Sequence, residues 1–421
     1  MKLDRMNNFA QAHPRPRRMR RGTILVTTMA ICFTLAFVVT ILVRSMAVEA
    51  RASANTVAAV QAEEIERGAE QYLMSLLNIN GQLVMDTQTF PEQDYFAGIP
   101  VGGVGWFWVL RPVYDDPNLP LFGLVDESSK LDINIDTAQG ARRNAQVVYN
   151  QLLMLPGMTE DIASSIIDWQ DTDDDSYNGL GAESAIYNAL QPSYYAKNAP
   201  FETVDELMMV AGMYHMYLWG DKTNASVGYL GEYAASSSGI GSGPNGTIDD
   251  QLARGWYDLL TVNAYAPAPT GGGGGGGGAA AASGRGLINI NTAPPGVLYT
   301  IPGIEQGDVE SIISVRAQQP GLAGTNDTSW VSQAVSTNIN NYITGQSYRY
   351  SADILAVAAN GRAFKRVRVI INAQTTPVTI ISRRDFTDQG WPMNPQLLEQ
   401  ISQGLYADSL QSGSNIGGAL R

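Results

Sequence analysis

The sequence predicts an α+β protein: a long N-terminal transmembrane and amphipathic helix packed on a small antiparallel sheet, with a large, mainly helical insertion between two groups of strands. Three observations predict it. An uncharged run from Thr23 to Val43 passes straight into mixed helical sequence. Strand-like segments occur in two distant places, before residue 135 and after residue 347. Between them lies an internal repeat with a helix–turn–helix pattern.

The helix comes first in the chain. Thr23 to Val43 contains no charged side chain, and at 1.5 Å rise per residue this run is about 32 Å long, close to the hydrocarbon thickness of a bilayer. Lipid offers backbone polar groups no partner, so such a segment must be helical. Beyond Arg44, the charges Glu49, Arg51, Glu63, Glu64, Glu66, Arg67 and Glu70 are set among Ala, Val, Ile and Leu. Residues 44–80 therefore read as an amphipathic continuation of the same helix. Ahead of it, residues 1–22 hold seven basic side chains and one acidic one, which leaves −19 of charge on the rest of a chain whose net is −13. The basic flank belongs in the cytoplasm and the acidic bulk on the other side. Gly22 follows Arg20 and Arg21 on the near side of the apolar run, whereas a cleaved secretory signal has its small residues on the far side. On this segment alone a plain signal-anchor helix is the competing reading.

The sheet is assigned to residues 81–135 and 347–388. In GGVGWFWVLRPV, Val104, Trp106, Trp108 and Leu110 fall on one face at period two, which suits a half-buried strand. LFGLVDESSK continues as strand and turn. Later, YSADILAVAANGRAFKRVRVIINA reads as two arms joined by Asn360-Gly361, the favoured type I′ hairpin pair. PVTIISRRDF reads as the last strand. Residues 136–268 then form an inserted helical subdomain with an acidic loop, 269–286 a Gly/Ala-rich linker, and 287–346 a second helical subdomain. The linker carries an unbroken glycine run from Gly271 to Gly278, from which no packed core can be built. Residues 389–421, rich in Ser, Gly and Gln, are expected to be a flexible tail.

The repeat joins the two subdomains. Ile133-Asn134-Ile135-Asp136-Thr137-Ala138 matches Ile288-Asn289-Ile290-Asn291-Thr292-Ala293. Each copy precedes a short apolar helix ending in Pro-Gly, at Pro156-Gly157 and Pro302-Gly303, and then paired isoleucines, Ile166-Ile167 and Ile312-Ile313. The pattern resembles the helix-hairpin-helix unit. Such units hold nucleic acid by offering turn amides to phosphate. Here Glu160, Asp161, Asp168, Glu305, Asp308 and Glu310 follow the turns and would repel it, so no nucleic acid partner is expected.

The densest carboxylate cluster is DWQDTDDDSYNGLGAESAIY. Asp171, Asp173 and Asp175 recur at every second residue, beside Asp174, and a turn at Asn178-Gly179 leads to Glu183. Oxygen ligands so spaced and closed by a later carboxylate suit Ca2+, which takes six to eight oxygens. It is not an EF-hand, since Ser176 and Ala182 stand where that loop needs glycine and glutamate. The competing reading is a solvated acidic loop. Catalysis finds little support. The two histidines are His13 in the leader and His215 in an aromatic stretch, and the single cysteine, Cys32, lies in the apolar run. Neither zinc nor a nucleophile–histidine pair is well served, and the chain reads as a non-enzyme.

Several stretches together carry a family resemblance. They are the RRG that ends the leader, LDINIDTA, IIDWQDTDDDSYNGLGAESAIY, YYAKNAPFETVDELMMVAGM, DLLTV at Asp258 to Val262, and INTAPPGVLYTIPGI. The chain resembles the minor pseudopilin K family of the type II secretion system, within the type IV pilin superfamily. Most pilin-like chains carry glutamate at the fifth mature position. Thr27 stands there, a departure typical of this one family. The polyglycine linker and the tail depart from the family pattern. The resemblance implies cleavage by the prepilin peptidase after Gly22, leaving Thr23 as the mature N-terminus. It implies a single pass through the inner membrane with the C-terminal bulk in the periplasm. It also implies a place at the tip of the pseudopilus with minor pseudopilins I and J and other pseudopilins, capping or initiating the filament that drives protein export across the outer membrane. By motif match it puts structural calcium on Asp171, Asp173, Asp175 and Glu183, with Asp174 a further candidate. The alternative is a membrane-anchored periplasmic hydrolase or binding protein unrelated to a filament. Mass spectrometry of the membrane-extracted protein discriminates them: the expected mature chain begins at Thr23, and recovery with Met1 in place favours the alternative.

Overall fold

The computed structural model describes residues 21–112, 122–136, 143–155, 157–219, 255–265 and 286–406. Leader positions 1–20 with His13, Pro156, the polyglycine run with most of the linker, and the tail beyond 406 lie outside the described residues. Helix α1 runs from Arg21 to Asn80, and the chain divides into two units within it, Met1–Val57 and Ala58–Arg421.

In the first unit, the described part of α1 leaves its large apolar side chains exposed, Ile24, Phe33, Phe37 and Leu42 among them. Among the described residues α1 is the one helix long and apolar enough to cross a membrane. Thr27, Thr28, Thr34 and Thr40 each donate their hydroxyl to a carbonyl three or four residues back, so these polar groups are satisfied within the helix.

In the second unit, α1 buries Ala58, Ala62, Ile65, Ala69, Leu73 and Leu77, a stripe with helical spacing. It packs on a sheet whose strands follow in chain order: β1 (Ile99–Val101), β2 (Gly105–Leu110), β3 (Val125–Asp126), then, after the helical insertion, β8 (Arg349–Ala358), β9 (Phe364–Asn372) and β10 (Thr379–Asp385). The order across the sheet is β1-β2-β8-β9-β10, with β3 also paired to β8, and every pairing is antiparallel. Phe107 meets Tyr72 of α1 edge to face at 5.6 Å, and Val367, Val369 and Ile371 are buried in the same core.

Three sequence expectations are corrected here. The strand β2 is not half-buried, since all six of its residues are buried. Phe107 stands on the α1 side, and Trp106 and Trp108 on the other face meet Tyr406 at 5.3 and 5.7 Å. The cover for that face is the segment expected to be a flexible tail: Pro395–Ser402 is a helix with Leu397 and Ile401 buried, capped by Asn394 accepting from the Gln396 amide at 2.9 Å. Two tryptophans on one sheet face need apolar cover, and this segment supplies it. The Asn360-Gly361 turn is not type I′, which needs positive φ at both residues. Only Gly361 has it, at 63°, within a longer loop between Ala358 and Phe364.

The insertion forms a second core. Its first repeat copy leads through β4 (Leu131–Asp132) to helices Ala145–Leu153 and Glu160–Asp168, and β4 pairs in parallel with β5 (Leu260–Thr261). The second leads through β6 (Ile288–Asn289) to helices Pro295–Leu298 and Gln306–Gln318, and β6 pairs in parallel with β7 (Ile343–Thr344). Both turns use a left-handed glycine, Gly157 at φ 71° and Gly303 at φ 86°, where other residues would be strained. Ile166, Ile167 and Ile312 are fully buried.

The two cores meet at polar groups. Asp126 is fully buried and accepts from the Ser128 amide, Asn289 Nδ2 and Thr292 Oγ1, each at 2.7 Å, and from Ser347 Oγ. Its neighbour Glu127 pairs with Lys130 and accepts from Thr261 Oγ1. On the sheet face away from α1, Asp353 takes Arg366 Nε at 3.0 Å and Arg366 Nη2 at 2.7 Å, while Arg368 bridges Asp353 and Asp258 at 3.1 and 3.0 Å. Substituting Asp126 by Ala leaves its donors buried without an acceptor. Urea unfolding of the full chain is expected to show a loss of about 3 kcal/mol or more, and an unchanged midpoint would mean that these bonds do not join the cores.

Candidate metal centre

The acidic block starts as the C-terminal end of the Glu160–Asp168 helix and loops back through a short 3-10 turn at Tyr177–Gly179 to the helix Ser184–Asn188. Thr159 caps the first helix by accepting from the Ile162 amide, and Asp168 is its last residue. Two side chain–backbone hydrogen bonds and one left-handed residue shape the loop. Asp168 Oδ1 accepts from the Tyr177 amide at 2.8 Å, Ser176 Oγ donates to the Gly181 carbonyl at 2.8 Å, and Asn178 takes φ 54° at the tip. Gly181 then passes so close to Asp168 that a Cβ there would collide with Oδ2. A glycine is therefore required at 181 for packing rather than for backbone freedom.

This geometry brings Asp168, Asp171 and Glu183 together, with one carboxylate oxygen from each within 4.8 Å of the others. Asp168 is fully buried and Glu183 is 7% exposed. Asp168 Oδ2, Asp171 Oδ1 and both oxygens of Glu183 are buried without a hydrogen-bond donor. Buried acceptors are ordinarily satisfied, and three converging carboxylates with four orphaned oxygens among them fit a hard, oxygen-seeking cation. Of the residues expected from sequence, Asp171 and Glu183 are in this group. Asp173, Asp174 and Asp175 lie exposed on the loop, and Asp173 Oδ1 accepts from the Asp175 amide at 3.0 Å.

Electrostatics agree with the geometry. Burial pushes Asp168 up to about 6, against the Tyr177 amide that favours its charge, with Asp173 adding to the rise. Burial, then the charges of Asp173 and Asp168, push Asp171 up to about 6. Burial and the surrounding aspartates raise Glu183 to about 7. Without a cation, these groups resist ionisation because each charge is desolvated and faces others of the same sign.

Asp168 was not among the sequence candidates, yet it carried two signals. It sits three residues before Asp171, where the chain makes one more turn as the Asp171 amide donates to the Ile167 carbonyl at 3.1 Å. It also ends a helix, where the dipole disfavours an anion. Behind the loop stands an aromatic wall: Trp169 meets Tyr187 at 5.3 Å and Phe201 at 6.4 Å, and the Tyr187 hydroxyl accepts from the Ala211 amide at 3.1 Å. Glu206 Oε1 accepts from the Glu202 and Thr203 amides, closing the neighbouring ETVDEL turn. His215 is exposed on a short helix with its ring 6.4 Å from Trp219, rather than packed inside. Gly22 and Thr23 lie at the start of α1 and are exposed.

Residues 125–218, which contain the whole acidic block, match the family described as type II secretion system (T2SS), protein K. No curated protein matches the chain significantly in sequence. Among solved structures the chain is similar to one chain of the GspK-GspI-GspJ complex from the enterotoxigenic Escherichia coli type 2 secretion system. The identity is 16% and the TM-score 0.41, with 77% of this chain and 95% of that chain covered.

Proton and cation compete for the same three carboxyls. In the metal-free protein the folded carboxyls hold protons more tightly than unfolded ones, so stability is expected to fall as pH rises from about 4 towards 7. Calcium at about 100 times its Kd adds about 2.7 kcal/mol, read as a higher Tm at pH 8 that fades as pH drops towards 5. Asp168→Asn or Glu183→Gln is expected to abolish the calcium-dependent Tm shift, and Asp175→Asn to keep most of it.

Proposed function

We infer that this chain, whose residues 125–218 match the type II secretion system protein K family, is a member of that family and a minor pseudopilin that caps or initiates the pseudopilus. The single observation that carries the reading is that family match, over the segment that holds the acidic block and the first repeat copy. Helix α1 supplies the membrane anchor, a single pass in the inner membrane with the bulk of the chain in the periplasm. The prepilin peptidase cuts after Gly22, and Thr23 becomes the N-terminus. The neighbours are minor pseudopilins I and J and the other pseudopilins, as the sequence resemblance implies. The protein works as a structural component and not as an enzyme.

The apolar segment itself supports a place at the filament end. Thr27 Oγ1 lies 3.0 Å from the Thr23 carbonyl and 2.9 Å from that of Ile24, so its hydrogen-bonding capacity is met inside its own helix. A glutamate there would be a charge in lipid, costly unless another subunit paired it. A chain free of that need is suited to the position with no subunit ahead of it.

The acidic block holds structural calcium through Asp168, Asp171 and Glu183. When bound, the ion supplies positive charge to carboxylates that otherwise repel one another and completes its shell with further oxygens. Those side chains then fix the loop from Asp171 to Glu183 against the Trp169–Tyr187 wall, holding rigid the part of the helical domain nearest the first repeat.

Co-expression with minor pseudopilins I and J followed by affinity purification tests the reading. The expected result is a detergent-stable complex containing the chain from Thr23 and a secretion defect when the chain is deleted. Recovery of the chain alone, with normal export in its absence, would overturn it.

A further inference from the structure

The edge strand β10 contains a register shift. Ile380 stands opposite Ile371, but the next aligned pair is Ser382 with Ile370, so Ile381 is bulged out, 43% exposed. Such a bulge reverses which side chains face which side of a sheet. Arg383 is consequently opposite Val369, on the α1 face, and Arg384 is opposite Arg368, on the other. Without the bulge, Arg383 would point away from the helix.

On the α1 face Arg383 meets two glutamates one helical turn apart. Its Nη2 lies 2.6 Å from Glu66 Oε2 and its Nε 2.8 Å from Glu70 Oε1. Glu66 is fully buried, Glu70 is 8% exposed, and Glu66 Oε1 has no donor. Two carboxylates against one guanidinium leave an uncompensated negative charge in the packed seam and one oxygen unsatisfied. One proton on Glu66 cures both faults, because the cluster becomes neutral and Glu66 gains a hydroxyl to donate towards Glu70. The charged groups acting on Glu66 are Glu70 from its own helix and Arg383 from β10. Farther along, Arg67 pairs with Glu63 and Glu64 on the solvent side of α1, and Lys365 of β9 pairs with Asp385 of β10.

We propose that Glu66 carries a proton that it donates towards Glu70 beside Arg383, forming a pH-operated clasp between α1 and the edge strand β10 that is closed in mildly acidic conditions and slack above neutral pH. Burial, followed by the hydrogen bond and charge of Glu70, raises Glu66 to about 7, while Arg383 opposes the rise, which sets the operating range. The sign follows from linkage. The folded state keeps the proton between about 4.5 and 7 and the unfolded state does not, so the clasp's contribution is full below that window and lost through it. Above it, the second charge draws water into the seam between the helix and the strand.

The test is amide hydrogen exchange of residues 379–385 in the full chain in detergent, from pH 5.5 to 8.5. Rates are referenced to unstructured exchange at each pH, and calcium is kept in excess so that the acidic loop does not titrate. In the wild type, protection of β10 is expected to fall at least about tenfold between pH 5.5 and 7 and to level off above it. Glu66→Gln, which keeps a neutral hydrogen-bonding side chain, is expected to hold protection high and flat. Glu70→Gln leaves Glu66 paired one to one with Arg383, and its step is expected to move to lower pH. A flat wild-type profile, or the same step in whichever of the two variants folds, would overturn the proposal.

Discussion

The carboxylate of Asp126 is the constraint from which the arrangement of the second unit follows. It is desolvated completely, and burial pushes its pKa up against four hydrogen bonds that favour its charge. Those bonds come from its own turn, from two residues of the second repeat copy, and from the chain just before β8. A buried acceptor needs its donors, and these donors stand on three separate elements. Glu127 extends the same logic. Burial would raise it, but Lys130 and Thr261 lower it below its ordinary value, and Thr261 lies on β5. The short segment from Asp126 to Lys130 thus gathers the sheet and both repeat copies around polar atoms, while the two apolar cores on either side supply most of the driving force.

The sheet is built for contact on both faces. One face is apolar where α1 lies across it, apart from the charged group at Arg383. The other carries Asp353, Arg366, Arg368 and Arg384 against aromatic rings of the insertion: Arg384 lies 5.3 Å from the Trp219 ring and Arg368 lies 5.2 Å from that of Tyr257. Guanidinium groups satisfy carboxylates and stack on rings at the same time. That allows a polar sheet face to be buried without leaving its charges alone. The acidic loop stands within the insertion, and its anchoring depends on the same aromatic residues that pack the first repeat copy.

Much of this was legible in the residues. The apolar run announces α1 through its length and lack of charge. Alternation at Val367, Val369 and Ile371 reports the α1 face of β9, and the matched INI segments report the two repeat copies. The acidic block is conspicuous, and Asp171 and Glu183 were among its candidates. What escaped has physical reasons. Asp-Glu-Ser-Ser-Lys has the composition of a surface turn, and only partners more than a hundred residues away reveal that it is buried. Asp168 was hidden because a helix-terminal acid looks solvated until the returning loop covers it. The helix Pro395–Ser402 did have a local signature, an Asn-Pro start followed by Leu397 and Ile401 on one face, masked by the Ser- and Gly-rich sequence around it.

The partners of Asp126 also bear on timing. Asn289, Thr292 and Ser347 follow it by 163, 166 and 221 residues. Synthesis runs from the N-terminus, so this junction cannot be completed until Ser347 has been made. Pairings of such sequence separation close slowly and late. The Asp126 junction therefore locks late, after both repeat copies have been made.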